Sequence, residues 1–250
     1  PSAKDLTAAG QQAENLYRAG RHGEAIDLAL QVLAQSDTQE NAATVLAEHA
    51  VRSGHPDDAL RVLTPFGATQ LRQPEGLYWL GIASGMTDRP ADSVAALKRA
   101  LKKAPKWPDA LYNLALAHTQ LGQTRDAEAA YRKTLKLAPD HPAALDGLGT
   151  LLAQGGRAND AIKFFQRAVK IAPDFLDAQY NLANALIDCG RLEEALTVST
   201  EALELSNNEP RFRFLLALCH ENSEAFQQAV AEYRAVLESQ PDYLPADINL

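Results

Sequence analysis

Residues 110–139 read ALYNLALAHTQLGQTRDAEAAYRKTLKLAP, and the fold is decided there. Apolar residues recur at three- and four-residue steps on both sides of Gly122, the spacing of a helix with one buried face. Gly122 stands where a first helix must stop, since Gly takes the left-handed cap conformation without a steric penalty. Pro139 ends a second helix. Thirty-four residues beyond HTQLGQTRDAEAAYRKTLKLAPD (118–140), the chain spells LAQGGRANDAIKFFQRAVKIAPD (152–174). In the same register lie LYRAGRHGEAIDLAL (16–30), AVRSGHPDDALRVL (50–63) and IDCGRLEEALTVSTEAL (187–203).

That register divides the chain into seven 34-residue repeats, 6–39, 40–73, 74–107, 108–141, 142–175, 176–209 and 210–243, with no insertion or deletion. Position 8 is small throughout (Ala13, Ala47, Gly81, Ala115, Gly149, Ala183, Ala217), and so is position 20 (Ala25, Ala59, Ser93, Ala127, Ala161, Ala195, Ala229). Small columns on helices mark close approach of two backbones. Large apolar residues at position 7 and at position 24, such as Leu97, Tyr131, Phe165 and Tyr233, fill the space beside them.

These columns resemble the tetratricopeptide repeat (TPR) family over nearly the whole chain. The resemblance implies an all-α fold, a right-handed superhelix of about fourteen antiparallel helices. Departures are local: Gly10 lies in the first helix, Asp88 and Glu224 replace the turn Gly, and Pro65 and Gly67 interrupt the second repeat. The helix over 57–64 is therefore expected to stop early, with a break near 65–73. Residues 244–250 start an eighth repeat, and the natural protein is expected to continue past Leu250.

Composition narrows the function. Of 250 residues, 46% are hydrophobic, with no apolar run long enough to cross a membrane. The net charge of -8 argues against a dedicated nucleic-acid binder. Two cysteines, Cys189 and Cys219, cannot build a disulfide framework and read as small buried thiols. The cytoplasm is the favoured compartment; periplasmic or secreted placement stays open because the first residue is Pro1 rather than Met.

No motif points to catalysis. His55-Pro56-Asp57 falls in a turn between helices, without the basic helix of a J-domain or the second His of an iron triad. Gly147-Leu148-Gly149 follows no strand and lacks the third Gly of a dinucleotide fingerprint. The remaining histidines lie in separate repeats without metal-ligand spacing. No cofactor and no metal are expected, and the chain is not expected to be an enzyme.

Binding is a different matter. The resemblance implies that first helices line the concave face of the superhelix, with positions 2, 5, 6, 9, 12 and 13 projecting into it. This gives Glu75, Tyr78 and Trp79 in the third repeat, Asp109, Tyr112 and Asn113 in the fourth, Asp146 in the fifth, Asp177, Tyr180, Asn181 and Asn184 in the sixth, and Phe214 in the seventh. Such a groove is aromatic and acidic. Rigid rings beside amides suit an extended or helical peptide, here one with apolar anchors and basic residues.

The family has two well-defined groove chemistries, each with its own residues at set positions. The carboxylate clamp for acidic chaperone C-termini is absent, since the repeats flanking Asn113 offer Tyr78, Ile82, Ala143 and Gly147 at its positions. The asparagine ladder of the O-linked N-acetylglucosamine transferase superhelix is matched in part by Asn113, Asn181 and Asn249, with Trp79, Gly147 and Leu215 interrupting. The expected function is a protein–protein interaction scaffold. The alternative is the substrate-recognition arm of a larger enzyme, such as a glycosyltransferase or other transferase, whose catalytic domain lies outside this chain. Residues 74–175 carry 14 bases against 10 acids, mostly on second helices, and cations near helix ends complement the helix dipole. Neither the oligomeric state nor the partner's identity follows from the sequence.

Overall fold

A computed structural model describes residues 1–66 and 71–243. Its described residues hold fourteen α-helices and no strand. The N-terminal body, residues 1–137, contains α1 (Ala3–Arg18), α2 (His22–Gln35), α3 (Glu40–Arg52), α4 (Pro56–Leu63), α5 (Pro74–Met86), α6 (Pro90–Lys103), α7 (Pro108–Gln120) and α8 (Thr124–Leu137). The C-terminal body, residues 138–250, contains α9 (Pro142–Gln154), α10 (Ala158–Ile171), α11 (Leu176–Asp188), α12 (Leu192–Leu205), α13 (Pro210–Asn222) and α14 (Phe226–Ser239). Within each body, every helix packs on the next, and alternate helices such as α3 and α5 or α11 and α13 also touch. This is an all-α, solenoid-like fold.

The small columns do what their spacing implies. Ala13, Ala25, Ala47, Ala59, Ala161 and Ala183 are completely buried. A Cβ built on Gly149 would lie 2.6 Å from the ring of Phe165, and one on Gly81 would lie 2.6 Å from Leu97. Position 8 is thus the seat of the large residue at position 24, which has no other space to occupy.

The turn inside each hairpin is equally repetitive. The N–H one residue past the turn donates to the carbonyl five residues back, as in Gln123 to His118 at 2.9 Å and Arg157 to Leu152 at 2.9 Å. This satisfies one of the last carbonyls of the first helix. It requires positive φ at the turn residue, and Gly122 has φ +67°. Asp88 and Glu224 hold the same conformation at +56° and +60° despite their Cβ atoms.

The second repeat departs from the rest as expected. α4 has 8 residues where α2 and α6 have 14, and it gives way to a 3-10 turn at Thr64–Phe66 that buries Phe66. Pro65 lacks the N–H that would continue the helix. The remainder of the expected break lies partly outside the described residues, as do the eighth-repeat start at 244–250 and its Asn249. Cys219 is buried and free, with burial pushing its thiol up to about 11, whereas Cys189 is half-buried.

Candidate functional site

In the N-terminal body, the first-helix residues singled out above lie on α5 and α7. Tyr78 and Trp79 are buried, each about 9% exposed. The Tyr78 ring stacks on Trp107 at 4.4 Å and meets Trp79 edge-on at 5.0 Å. The Arg52 guanidinium lies 5.4 Å from the centre of the Trp79 ring. Neighbouring aromatic and cationic groups cover these two rings, which the sequence places at groove positions, and both belong to the core between α3, α5 and Trp107. Burial pushes the Tyr78 phenol up to about 12, with the Asp109 carboxylate adding to the shift. Glu75 and Tyr112 are half-buried and Asp109 is exposed; the Tyr112 ring tilts against Tyr131 at 6.1 Å.

Asn113 donates to its own helix at the Asp109 carbonyl, 2.8 Å, and weakly to the Tyr78 hydroxyl at 3.4 Å. The C-terminal body repeats that second link: Asn181 donates to the Asp146 carboxylate at 2.9 Å, also across 35 residues. The asparagine at position 6 therefore ties its helix to position 5 of the first helix before it. Its amide is engaged within the protein, a role legible only once the helices are laid side by side.

Asp146, on α9, faces α11. Burial raises its carboxyl above the usual carboxylate range, the bond from Asn181 pulls it back, and the Asp177 charge raises it further. Asp177, exposed at the start of α11, is neutralised at 2.7 Å by Arg211 of α13, which also meets Glu209 at 2.7 Å. The Arg211 guanidinium lies 5.5 Å from the Tyr180 ring centre and 4.9 Å from that of Phe212. Asn184 donates to the Tyr180 carbonyl at 2.9 Å. Phe214 is half-buried between Tyr233 and Tyr243, at 5.7 and 5.5 Å. The structure thus brings Asp146, Asp177, Tyr180 and Asn181 together, and Arg211 joins them. Its signal in the sequence was the 34-residue spacing from Asp177, which pairs position 2 with position 2 of the following helix.

A further feature escaped the sequence reading. Tyr17, Arg18, His22, Glu48, His49 and Arg52 line a cavity of about 500 Å³ in the N-terminal body. Tyr17 contacts His22 at 4.4 Å, and Arg52 is held by Glu48 at 2.9 Å. The first-helix face there is mixed in charge rather than acidic. Among the described residues no group of three or more His, Cys, Asp or Glu is placed to hold a metal, and no helix is long and apolar enough to cross a membrane.

Solved structures resemble this fold at low sequence identity. MamA residues 41 to the end from Desulfovibrio magneticus RS-1 align with a TM-score of 0.63 and 21% identity, over 68% of this chain and 96% of that one. Another MamA structure gives 0.62 and 20%, over 69% and 94%. YrrB, described as a TPR protein with an unusual peptide-binding site, gives 0.61 and 17%, over 76% and 95%. No curated protein matches the chain. Tetratricopeptide repeat models match residues 44–106, 87–123, 112–174 and 180–243, and a second such model matches 151–198. With most of its length covered by that repeat, the chain belongs to the tetratricopeptide repeat family.

Proposed function

We propose that the chain is a protein-interaction scaffold, and that the face formed by α9, α11 and α13 takes a segment of a partner protein carrying apolar side chains and a Lys or Arg. One observation carries the reading. Asp146 is a half-buried carboxylate bonded to the neutral amide of Asn181, while nearby Asp177 already has its cation. A buried carboxylate without a counter-charge is costly, and an incoming ammonium or guanidinium offsets that cost. Tyr180, half-buried and with the Arg211 guanidinium 5.5 Å from its ring centre, supplies a ring for the apolar part. YrrB, a relative in fold, is described as having a peptide-binding site, which supports the general class.

The test is selection of random twelve-residue peptides on the full chain, followed by calorimetry with the selected sequences. Enrichment of Lys or Arg beside Leu, Ile or Phe is expected, with Asp146→Asn weakening binding by about 2 kcal/mol or more. Selected peptides that are acidic, or that bind Asp146→Asn unchanged, would refute it.

A further inference from the structure

A cleft lies between the short helix α4 and α6 in the N-terminal body. Leu60, Leu63 and Thr64 at the end of α4 form one wall, Leu80 and Ser84 of α5 the floor, and one face of α6 the other wall. The cavity holds about 260 Å³. That α6 face presents Arg89, Asp92, Ala95, Ala96 and Arg99 at helical spacing.

Its charges are unbalanced when set beside the equivalent positions of other repeats. Arg99 donates to the Leu71 carbonyl at 3.2 Å, and Arg167 makes the same bond, over the same 28 residues, to the Pro139 carbonyl at 2.8 Å. Arg167 also has Asp140 at 3.3 Å. The residue equivalent to Asp140 in the second repeat is Arg72, so the counter-charge is replaced by a second cation. Arg89 is unusual too. At the equivalent place Arg21, Arg157 and Arg191 each pair with an acid three residues on. No such pair joins Arg89 to Asp92 among the described residues.

We infer that this cleft binds the free C-terminus of a polypeptide ending in an aliphatic residue. The carboxylate takes the remaining donors of Arg99, and the side chain lies on Leu60, Leu63 and Leu80. Arg89 and Arg99 stand ten residues apart, roughly 15 Å along the helix, which an extended chain crosses in about four residues. The preceding peptide therefore runs toward Arg89 and Asp92, where the open pair offers a donor and an acceptor to its backbone. A fatty acid, having no amides, leaves both unused and sets nothing against Asp92.

The test uses the full chain with labelled methyl groups and the probe acetyl-Gly-Gly-Gly-Leu, followed by nuclear magnetic resonance. Saturable shifts at Leu60, Leu63 and Leu80 are expected, with at least tenfold weaker binding of the C-terminal amide and of octanoate. Arg99→Gln should weaken binding of the acid about tenfold. Arg72→Asp, which restores the internal counter-charge seen at Arg167, should do the same, and circular dichroism checks that both variants stay helical. Absence of shifts, equal binding of the amide, octanoate binding as tightly as the peptide, or unchanged binding by whichever variants fold would each overturn the proposal.

Discussion

The contact between Gly149 and Phe165 allows a double-substitution cycle whose sign can be worked out beforehand. Phe165 is about 1% exposed, and a Cβ on Gly149 would meet three of its ring atoms at 2.6 to 2.9 Å. Gly149→Ala alone carries two opposed terms. Ala in a helix interior is favoured over Gly by about 0.8–1.0 kcal/mol, and overpacking a filled core costs about 1–3 kcal/mol. The clash wins, for a net loss of up to about 2 kcal/mol. Phe165→Ala alone removes a buried ring and should cost about 3–5 kcal/mol. With the ring gone, the same Gly149→Ala change loses its clash, keeps its helix preference and fills part of the void. It should then stabilise by about 1 kcal/mol. The coupling is on the order of 1–3 kcal/mol, within the range for residues in contact. Urea unfolding of the four proteins, followed by far-ultraviolet circular dichroism, reads it. If Gly149→Ala has the same sign and size with and without the ring, small residues at position 8 do not exist to seat position 24.

Three further outcomes are expected. Asp146→Asn should be more stable than the parent at neutral pH. The folded-state carboxyl is raised above its unfolded value, so its ionisation costs stability as pH climbs through the carboxylate range. Below the unfolded value both forms are neutral and the difference should vanish; thermal melts from acid to neutral pH that show a constant gap would contradict this. Cys189 should react with iodoacetamide in the native protein while Cys219 waits for unfolding, because its thiol is buried and held up near 11; peptide mass analysis gives the order of labelling. Asp88→Gly should raise the unfolding free energy by about 0.5–1 kcal/mol in urea titrations, since φ +56° is strained for a residue with a Cβ, and a lower value would show that the Asp side chain does more there than occupy a turn.

Much of the fold was legible because its signals are local. Gly122 marks a turn through its own backbone freedom, Pro65 breaks α4 through its own missing N–H, and Ala13 or Ala161 is small for a partner at fixed spacing. The site was less legible because position on a helix does not say what else covers that position. Tyr78 and Trp79 occupy the expected first-helix positions, yet Trp107 from the far end of the same repeat covers Tyr78 and Arg52 from the preceding repeat covers Trp79. The sequence shows the charge of Asp146; its partial burial and its bond to Asn181 depend on how α9 and α11 are set side by side. The cleft beside α6 rests on a pair that did not form between Arg89 and Asp92, and no spacing rule reports that.

The links between successive first helices, Tyr78 to Asn113 and Asp146 to Asn181, each join residues 35 apart. The helix-to-carbonyl bonds of Arg99 and Arg167 span 28. A chain emerging from a ribosome at about 5–20 residues per second therefore waits only about 1–7 seconds between making one partner of such a link and the other. Closing loops of this size costs little entropy beyond that of a single hairpin. Each new hairpin finds its docking surface already built by the one before it, and assembly proceeds from the N-terminus in step with synthesis. Unpaired apolar surface is then confined to the growing edge, about one hairpin wide, rather than spread over the unfinished chain.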